Sequence, residues 1–195
     1  TDFSCMLLYC TSITTIPSID TSNGTDFNRM FHCCYNLTTI PELDTSNGTD
    51  FNHMFVYCSN LTTIPELDTS NGTDFNSMFE DCGNLTEIPE LDTSNGTDFS
   101  YMFSGCENLT TVPKLDLNLA NNVDYMFKNC TNLTTLRLYN IRKSIQIGSG
   151  TDCGHLLTVD SLVHTIKELC KAETQQTLTM GSANLEKISG LYCKV

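Results

Sequence analysis

The chain has 195 residues and carries ten Lys and Arg against 23 Asp and Glu, a net charge of −13. That balance argues against nucleic-acid backbones and acidic membrane surfaces as partners, and no apolar run is long enough to span a bilayer.

An internal period organises the sequence. Methionine recurs at Met6, Met30, Met54, Met78, Met102 and Met126, always 24 residues apart, and cysteine keeps the same step from Cys10 to Cys130. Leucine follows in register at Leu37, Leu61, Leu85, Leu109 and Leu133. Such self-similarity is the mark of a repeat architecture. The opening Thr1-Asp2-Phe3 is in register with Thr25-Asp26-Phe27, so the sequence starts inside a repeat. The natural chain is therefore expected to continue N-terminally, where a signal or anchor would lie; the first residues from Thr1 onward show no signal-peptide pattern.

Within one copy, Phe27, Met30, Phe31 and Cys34 sit at i, i+3, i+4 and i+7, which predicts a short helix of about two turns with one apolar face. Thr25 is its expected N-cap, and Asp26 falls in its first turn, where a carboxylate favours the helix dipole. Leu37, Ile40 and Leu43, with Pro41 between them, predict the short bent strand of a leucine-rich coil. Asp44-Thr45-Ser46-Asn47-Gly48 then predicts a turn, with side-chain caps and a glycine able to take positive φ. One such unit cannot bury its own apolar face, whereas stacked copies share a continuous core.

Columns of identical residues follow from the stacking. Eleven cysteines in a small secreted chain would suggest a disulfide scaffold. Here Cys34, Cys58, Cys82, Cys106 and Cys130 lie on the apolar face and point the same way, which suits buried free thiols better than disulfides. Asn36, Asn60, Asn84, Asn108 and Asn132 form a second column, expected to be buried and to satisfy backbone groups between coils. They also read as glycosylation sequons, as do the Asn-Gly-Thr turns at Asn23, Asn47, Asn71 and Asn95.

Acidic columns run through Asp20, Asp44, Asp68, Asp92 and Asp116, and through Glu42, Glu66 and Glu90. Each aspartate is read as capping its own turn. Calcium along Asp44, Asp68 and Asp92 is the one cofactor this pattern suggests. Threonine pairs repeat at Thr38-Thr39, Thr62-Thr63, Thr110-Thr111 and Thr134-Thr135, which suits a strand and also an ordered array of hydroxyls.

Differences between copies concentrate on the polar positions of the predicted helix. One row reads Arg29, His53, Ser77, Tyr101 and Tyr125; a second reads His32, Val56, Glu80, Ser104 and Lys128; a third reads Cys33, Tyr57, Asp81, Gly105 and Asn129. Arg29, His32, His53, Tyr57, Glu80, Tyr101, Tyr125 and Lys128 are the candidate binding face. Unconstrained drift predicts the same variability.

After Leu136 the period is expected to break. A strand at Ile145-Gln146-Ile147-Gly148, a helix capped by Thr158 with Val159, Leu162, Val163, Ile166, Leu169 and Cys170 on one face, a strand at residues 178–181 and a short helix at 183–188 form a terminal cap. The whole reads as α/β: a leucine-rich-repeat solenoid of about six 24-residue strand-turn-helix coils over residues 1–138, with a parallel sheet on one side, and an α/β cap over 139–195.

The motif LDTSNGTDFNxMFxxCxNLTxIPELDTSN resembles the BspA-like leucine-rich repeats on surface proteins of gut and oral bacteria and of mycoplasmas, in the variety carrying DTSNVTDMSxMF. This sequence has Gly for Val in the turn, Phe for Met in TDF, and a shortened strand segment. The end, LTVDSLVHTIKELCKAETQQTLTMGSANLEKIS, is similar to a C-terminal unit attached to such repeats in gut bacterial and phage-encoded proteins. The resemblance implies surface display and adhesion to a host protein or glycan, at an extracellular or cell-surface location. The alternative is a phage virion component, in the tail or a head decoration. No catalytic constellation emerges: His32, His53, His155 and His164 share no repeated partner, and no phosphate loop or GxSxG is present. A non-enzymatic module is the expectation.

Overall fold

The computed structural model describes residues 1–147, 157–171 and 178–180. Its regular elements are β1 (Thr111–Asp116), β2 (Thr135–Tyr139), β3 (Ile145–Ile147), α1 (Val159–Leu169) and β4 (Leu178–Met180). β1 pairs with β2 and β3 with β4, both parallel, so the described fold is α/β with two small sheets and one helix. The expected short helix at 183–188 lies outside the described residues.

Most of the chain holds together across 24-residue offsets. Parallel bridges link Asp2, Asp26, Asp50, Asp74, Asp98 and Asn122 in sequence. Two columns of phenylalanine rings run through the interior. Phe27, Phe51, Phe75 and Phe99 follow one another at centroid separations of 5.4 to 5.7 Å, and Phe31, Phe55, Phe79, Phe103 and Phe127 at 5.3 to 5.7 Å. The rings are nearly parallel, an offset-stacked arrangement that adds attraction beyond the apolar area buried.

The predicted helix over Phe27–Cys34 does not form. Its inward set is as expected, for Phe27, Met30, Phe31 and Cys34 are fully buried, but the backbone follows another rule. Met30 and Cys34 donate to Phe27 O and Phe31 O three residues back, closing tight turns. The alternate amides of Phe27, Arg29, Phe31 and Cys33 donate instead to Asp50, Asn52, Met54 and Val56 in the next unit, at 2.8 to 3.0 Å. An isolated two-turn helix is marginal; this arrangement gives every second amide a partner between units. Thr25 is accordingly no helix cap, and its amide donates to Thr1 O. Asp26 Oδ1 accepts from Asn28 N at 2.9 Å, which caps a turn.

The expected sheet is narrower than predicted. Units before β1 are linked through this segment by backbone bonds such as Thr38 N to Thr14 O and Thr110 N to Thr86 O, without a continuous ladder. Pro17, Pro41, Pro65, Pro89 and Pro113 recur at one register and cannot donate. The β1–β2 register shifts between Thr111 and Lys114, around Pro113. The position 24 residues beyond Pro113 is Arg137, and there β2 runs regularly.

The glycine of the Asn-Gly-Thr turn is required for a different reason from the one the sequence suggests. Gly105 is the glycine with positive φ, at 75°, among the described residues. At Gly48 an added Cβ would lie 2.6 Å from the Phe51 ring and 2.9 Å from Thr45 O, so the ring is seated directly over the turn. In the unit where Ala120 replaces that glycine, Val123 replaces the phenylalanine.

The repeat register also outlasts the break read at Leu136. Leu157, 24 residues after Leu133, is buried, and Thr158 N donates to Thr134 O at 2.9 Å as the threonines before it do. Thr158 then caps α1 by accepting from Ser161 N. Of the predicted apolar helix face, Leu162 and Leu169 are buried, whereas Val159 is exposed. α1 seals the last unit through Ser161 Oγ, which accepts from Leu136 N, and through His164 Nε2 against Leu138 O at 2.8 Å.

Candidate functional site

The columns take up local backbone and side-chain groups. Asp44 Oδ1 accepts from both Ser46 N at 3.1 Å and Ser46 Oγ at 2.6 Å, and Asp68 and Asp92 repeat the arrangement. The serine bonds hold these carboxyls below their ordinary range. Cys58, Cys82 and Cys106 each donate Sγ–H to a phenylalanine carbonyl 27 residues back, at 3.1 Å; Cys34 and Cys130 do the same to Leu7 O and Phe103 O. None of the five is in a disulfide, and burial pushes the Cys34 thiol up to about 11. The asparagine column, expected to be buried, is exposed at every position. Its amides reach back along the outside of the stack: Asn36 to Thr11 O, Asn60 to Asn36 Oδ1, Asn108 to Gly83 O.

The candidate binding face lies on the paired turns, and its backbone is unusual. Residues at the third position of the first turn (Cys5, Arg29, His53, Ser77, Tyr101, Tyr125) and of the second (Tyr9, Cys33, Tyr57, Asp81, Gly105, Asn129) all have φ between 53° and 75°. A turn of this kind needs positive φ there and favours glycine. A residue with a Cβ costs about 1–2 kcal/mol in this conformation, yet only one of these positions is glycine.

Two clusters stand on these turns. In the first, His32 lies edge-on to Tyr9 at 5.8 Å and to Tyr57 at 6.2 Å, with the His53 ring 6.1 Å away; Tyr35 approaches Tyr57 at 6.3 Å. Tyr9 and Tyr57 remain 63% and 43% exposed. In the second, Tyr101 stacks on Tyr125 at 5.1 Å and Lys128 Nζ lies 5.8 Å from the Tyr125 ring. Glu80 and Asp81 occupy the unit between Tyr57 and Tyr101. Burial raises both of their carboxyls, and the Asp81 carboxylate raises the Tyr57 phenol. The structure thus joins His32, His53 and Tyr57, with Arg29 acting on both histidines, and separately joins Tyr101, Tyr125 and Lys128. Tyr9 and Tyr35 were not foreseen; Tyr9 shares the row of Tyr57, which was the available signal.

Burial first, then the Arg29 charge, lowers both His32 and His53 below the ordinary 6.5. A base whose folded pKa is depressed stabilises the fold above its unfolded value, and that contribution is lost as pH falls through the folded one. The urea midpoint is therefore expected to drop between about pH 7.5 and about pH 5.5. His32→Gln/His53→Gln should show a smaller drop, and an unchanged one would remove the histidines as its source. Asp74, which raises His53 slightly, opposes the shift.

Among the described residues no helix is long and apolar enough to cross a membrane. No curated protein and no solved structure matches the chain. One family model matches it twice, over residues 1–86 and 60–148, which together take in the stacked units, both turn clusters and the strands of the last unit. By that match the chain belongs to the family described as "Mycoplasma protein of unknown function, DUF285".

Proposed function

We propose that the chain is a non-catalytic recognition module: a leucine-rich-repeat solenoid of the BspA-like kind, displayed on a cell surface, that binds a host protein or glycan through its paired turns. The observation that supports this reading is the retention of Arg, His, Tyr, Cys, Asp and Asn at left-handed positions where glycine is least strained. Strain of this kind gathers where side chains must be presented in a fixed place. Tyrosine and arginine are also the residues that dominate binding energy at interfaces, and half-exposed rings already packed on one another lose little freedom on binding.

The test is retention of the full chain on arrays of glycans and of extracellular-matrix proteins, compared with His53→Ser/Tyr101→Ser/Tyr125→Ser. Serine at these positions is what Ser77 already places in the same turn, so the variant keeps the fold. Binding to a defined ligand, weakened about tenfold or more in the variant, is the expected result for removal of interface anchors. Equal binding by the variant overturns the turn rows as the site. Co-purification of the native protein with phage tail or capsid proteins overturns surface display.

A further inference from the structure

The last unit departs from its predecessors on one side, and a cleft lies there. Thr25, Thr49, Thr73 and Thr97 give way to Asn121, and Asp26, Asp50, Asp74 and Asp98 give way to Asn122. Asn122 keeps the structural role of the aspartates: its Oδ1 accepts from Asp124 N at 3.1 Å, as Asp98 Oδ1 accepts from Ser100 N. It also joins the bridge to Asp98. What it no longer brings is the negative charge. Opposite it stand residues 142–144, where the chain has left β2 and has not yet entered β3. Residues 121–124 and 142–144 line an open cleft of 460 Å³, within the roughly 300–1,000 Å³ of small-molecule sites.

Arg142 and Lys143, two adjacent cations in a chain of net charge −13, are exposed on its wall. Neither forms an ion pair among the described residues. The Asn121 side-chain amide is uncommitted there as well. Asn122 uses one N–H toward Asp98 Oδ2, at 3.3 Å, and has a second to offer. The remaining charge on the wall is Asp124, exposed, which repels a bare anion but accepts hydrogen bonds from hydroxyls.

We propose that this cleft binds a carboxylate-bearing monosaccharide unit, its carboxylate held by Arg142 and Lys143 and its ring hydroxyls by Asn121, Asn122 and Asp124. Arginine offers a carboxylate two parallel donors. Carboxamides, which both donate and accept, match a ring that presents several hydroxyls. The cleft is also larger than a simple anion fills. The inference uses none of the left-handed residues on which the function proposed above rests, so it stands or falls separately from that function.

The experiment is an NMR titration of the full ¹⁵N-labelled chain at fixed ionic strength with methyl β-D-glucuronide, methyl β-D-glucoside and sodium acetate. Glucuronide should shift the amides of residues 121–124 and 142–144. The glucoside, which lacks the carboxylate, should bind about tenfold more weakly, as loss of a charge-assisted hydrogen bond predicts. Arg142→Ala/Lys143→Ala should abolish the response, and so should Asn122→Asp, which restores the carboxylate that the earlier units carry there and leaves the fold intact. Equal response to acetate reduces the cleft to an anion site, equal response to glucoside removes carboxylate recognition, and no response to glucuronide, or shifts confined to the turns of the units before Asn121, removes the site. Each of these outcomes overturns the proposal.

Discussion

Replacing Phe79 by alanine is expected to cost about 3–5 kcal/mol, the range for emptying a fully buried aromatic site. Phe79 is wholly buried and stacks on Phe55 at 5.5 Å and on Phe103 at 5.6 Å, so its removal takes a ring from two neighbours at once. A loss of that size is a large share of the total stability of an ordinary domain. For the solenoid proposed above, moreover, stability is close to a sum of unit and nearest-neighbour contributions, so a break at the middle uncouples the two sides. Urea denaturation followed by circular dichroism should then show a lower midpoint and a broadened or two-step transition. Phe3→Ala is the control. Phe3 is only partly buried and stacks on Phe27 alone in its column, and it should cost less than half as much. Equal costs at the two positions would show that the ring columns are not what couples the units.

Gly72→Ala should destabilise by about 1–3 kcal/mol, the usual cost of overpacking a filled interior. A Cβ there lies 2.4 Å from the Phe75 ring, 3.0 Å from Thr69 O and 3.1 Å from the Phe51 ring. Two of these neighbours are rings fixed in the stack and the third is backbone, so none moves freely. The chain contains its own compensation, for Ala120 is accompanied by Val123, where a ring would otherwise press on the new methyl. Gly72→Ala/Phe75→Val should consequently cost less than the sum of the single changes, with a coupling of about 1–2 kcal/mol for residues in direct contact. Additive costs in the double-mutant cycle would mean that the glycine is needed for something other than the ring above it.

The period, the buried set and the chemistry of the acidic column were legible in the sequence because they are matters of spacing. Phe27, Met30, Phe31 and Cys34 point inward whether the backbone is a helix or a pair of turns, since both bring i, i+3, i+4 and i+7 to one side. Side-chain spacing therefore could not tell the two apart. What decides is where alternate amides go, to the same unit or to the next, and that depends on a neighbour 24 residues away. The same blindness hid the left-handed positions, which are filled by Arg29, His53 and Tyr57 where local rules would look for glycine. The asparagine column was placed inside because its amides were read as satisfying backbone groups between coils; it lies outside, where Asn36 and Asn108 still reach a carbonyl of the preceding unit. In the candidate site, individual residues could be named, but not their division into a histidine–tyrosine cluster and a tyrosine–lysine cluster. The row order was readable, whereas ring orientation was not.

Along the threonine column the seams between successive units are chemically interchangeable. Thr49 meets Thr25 through the same pair of bonds by which Thr73 meets Thr49 and Thr97 meets Thr73. Unequal recombination within such a coding sequence, by one whole unit, leaves the contacts of this column already matched. Length then becomes an inheritable variable that selection can adjust without redesigning the interior, and each added unit brings two more presented side chains. The turns set the vocabulary of the surface, and the number of units sets how much of it is written.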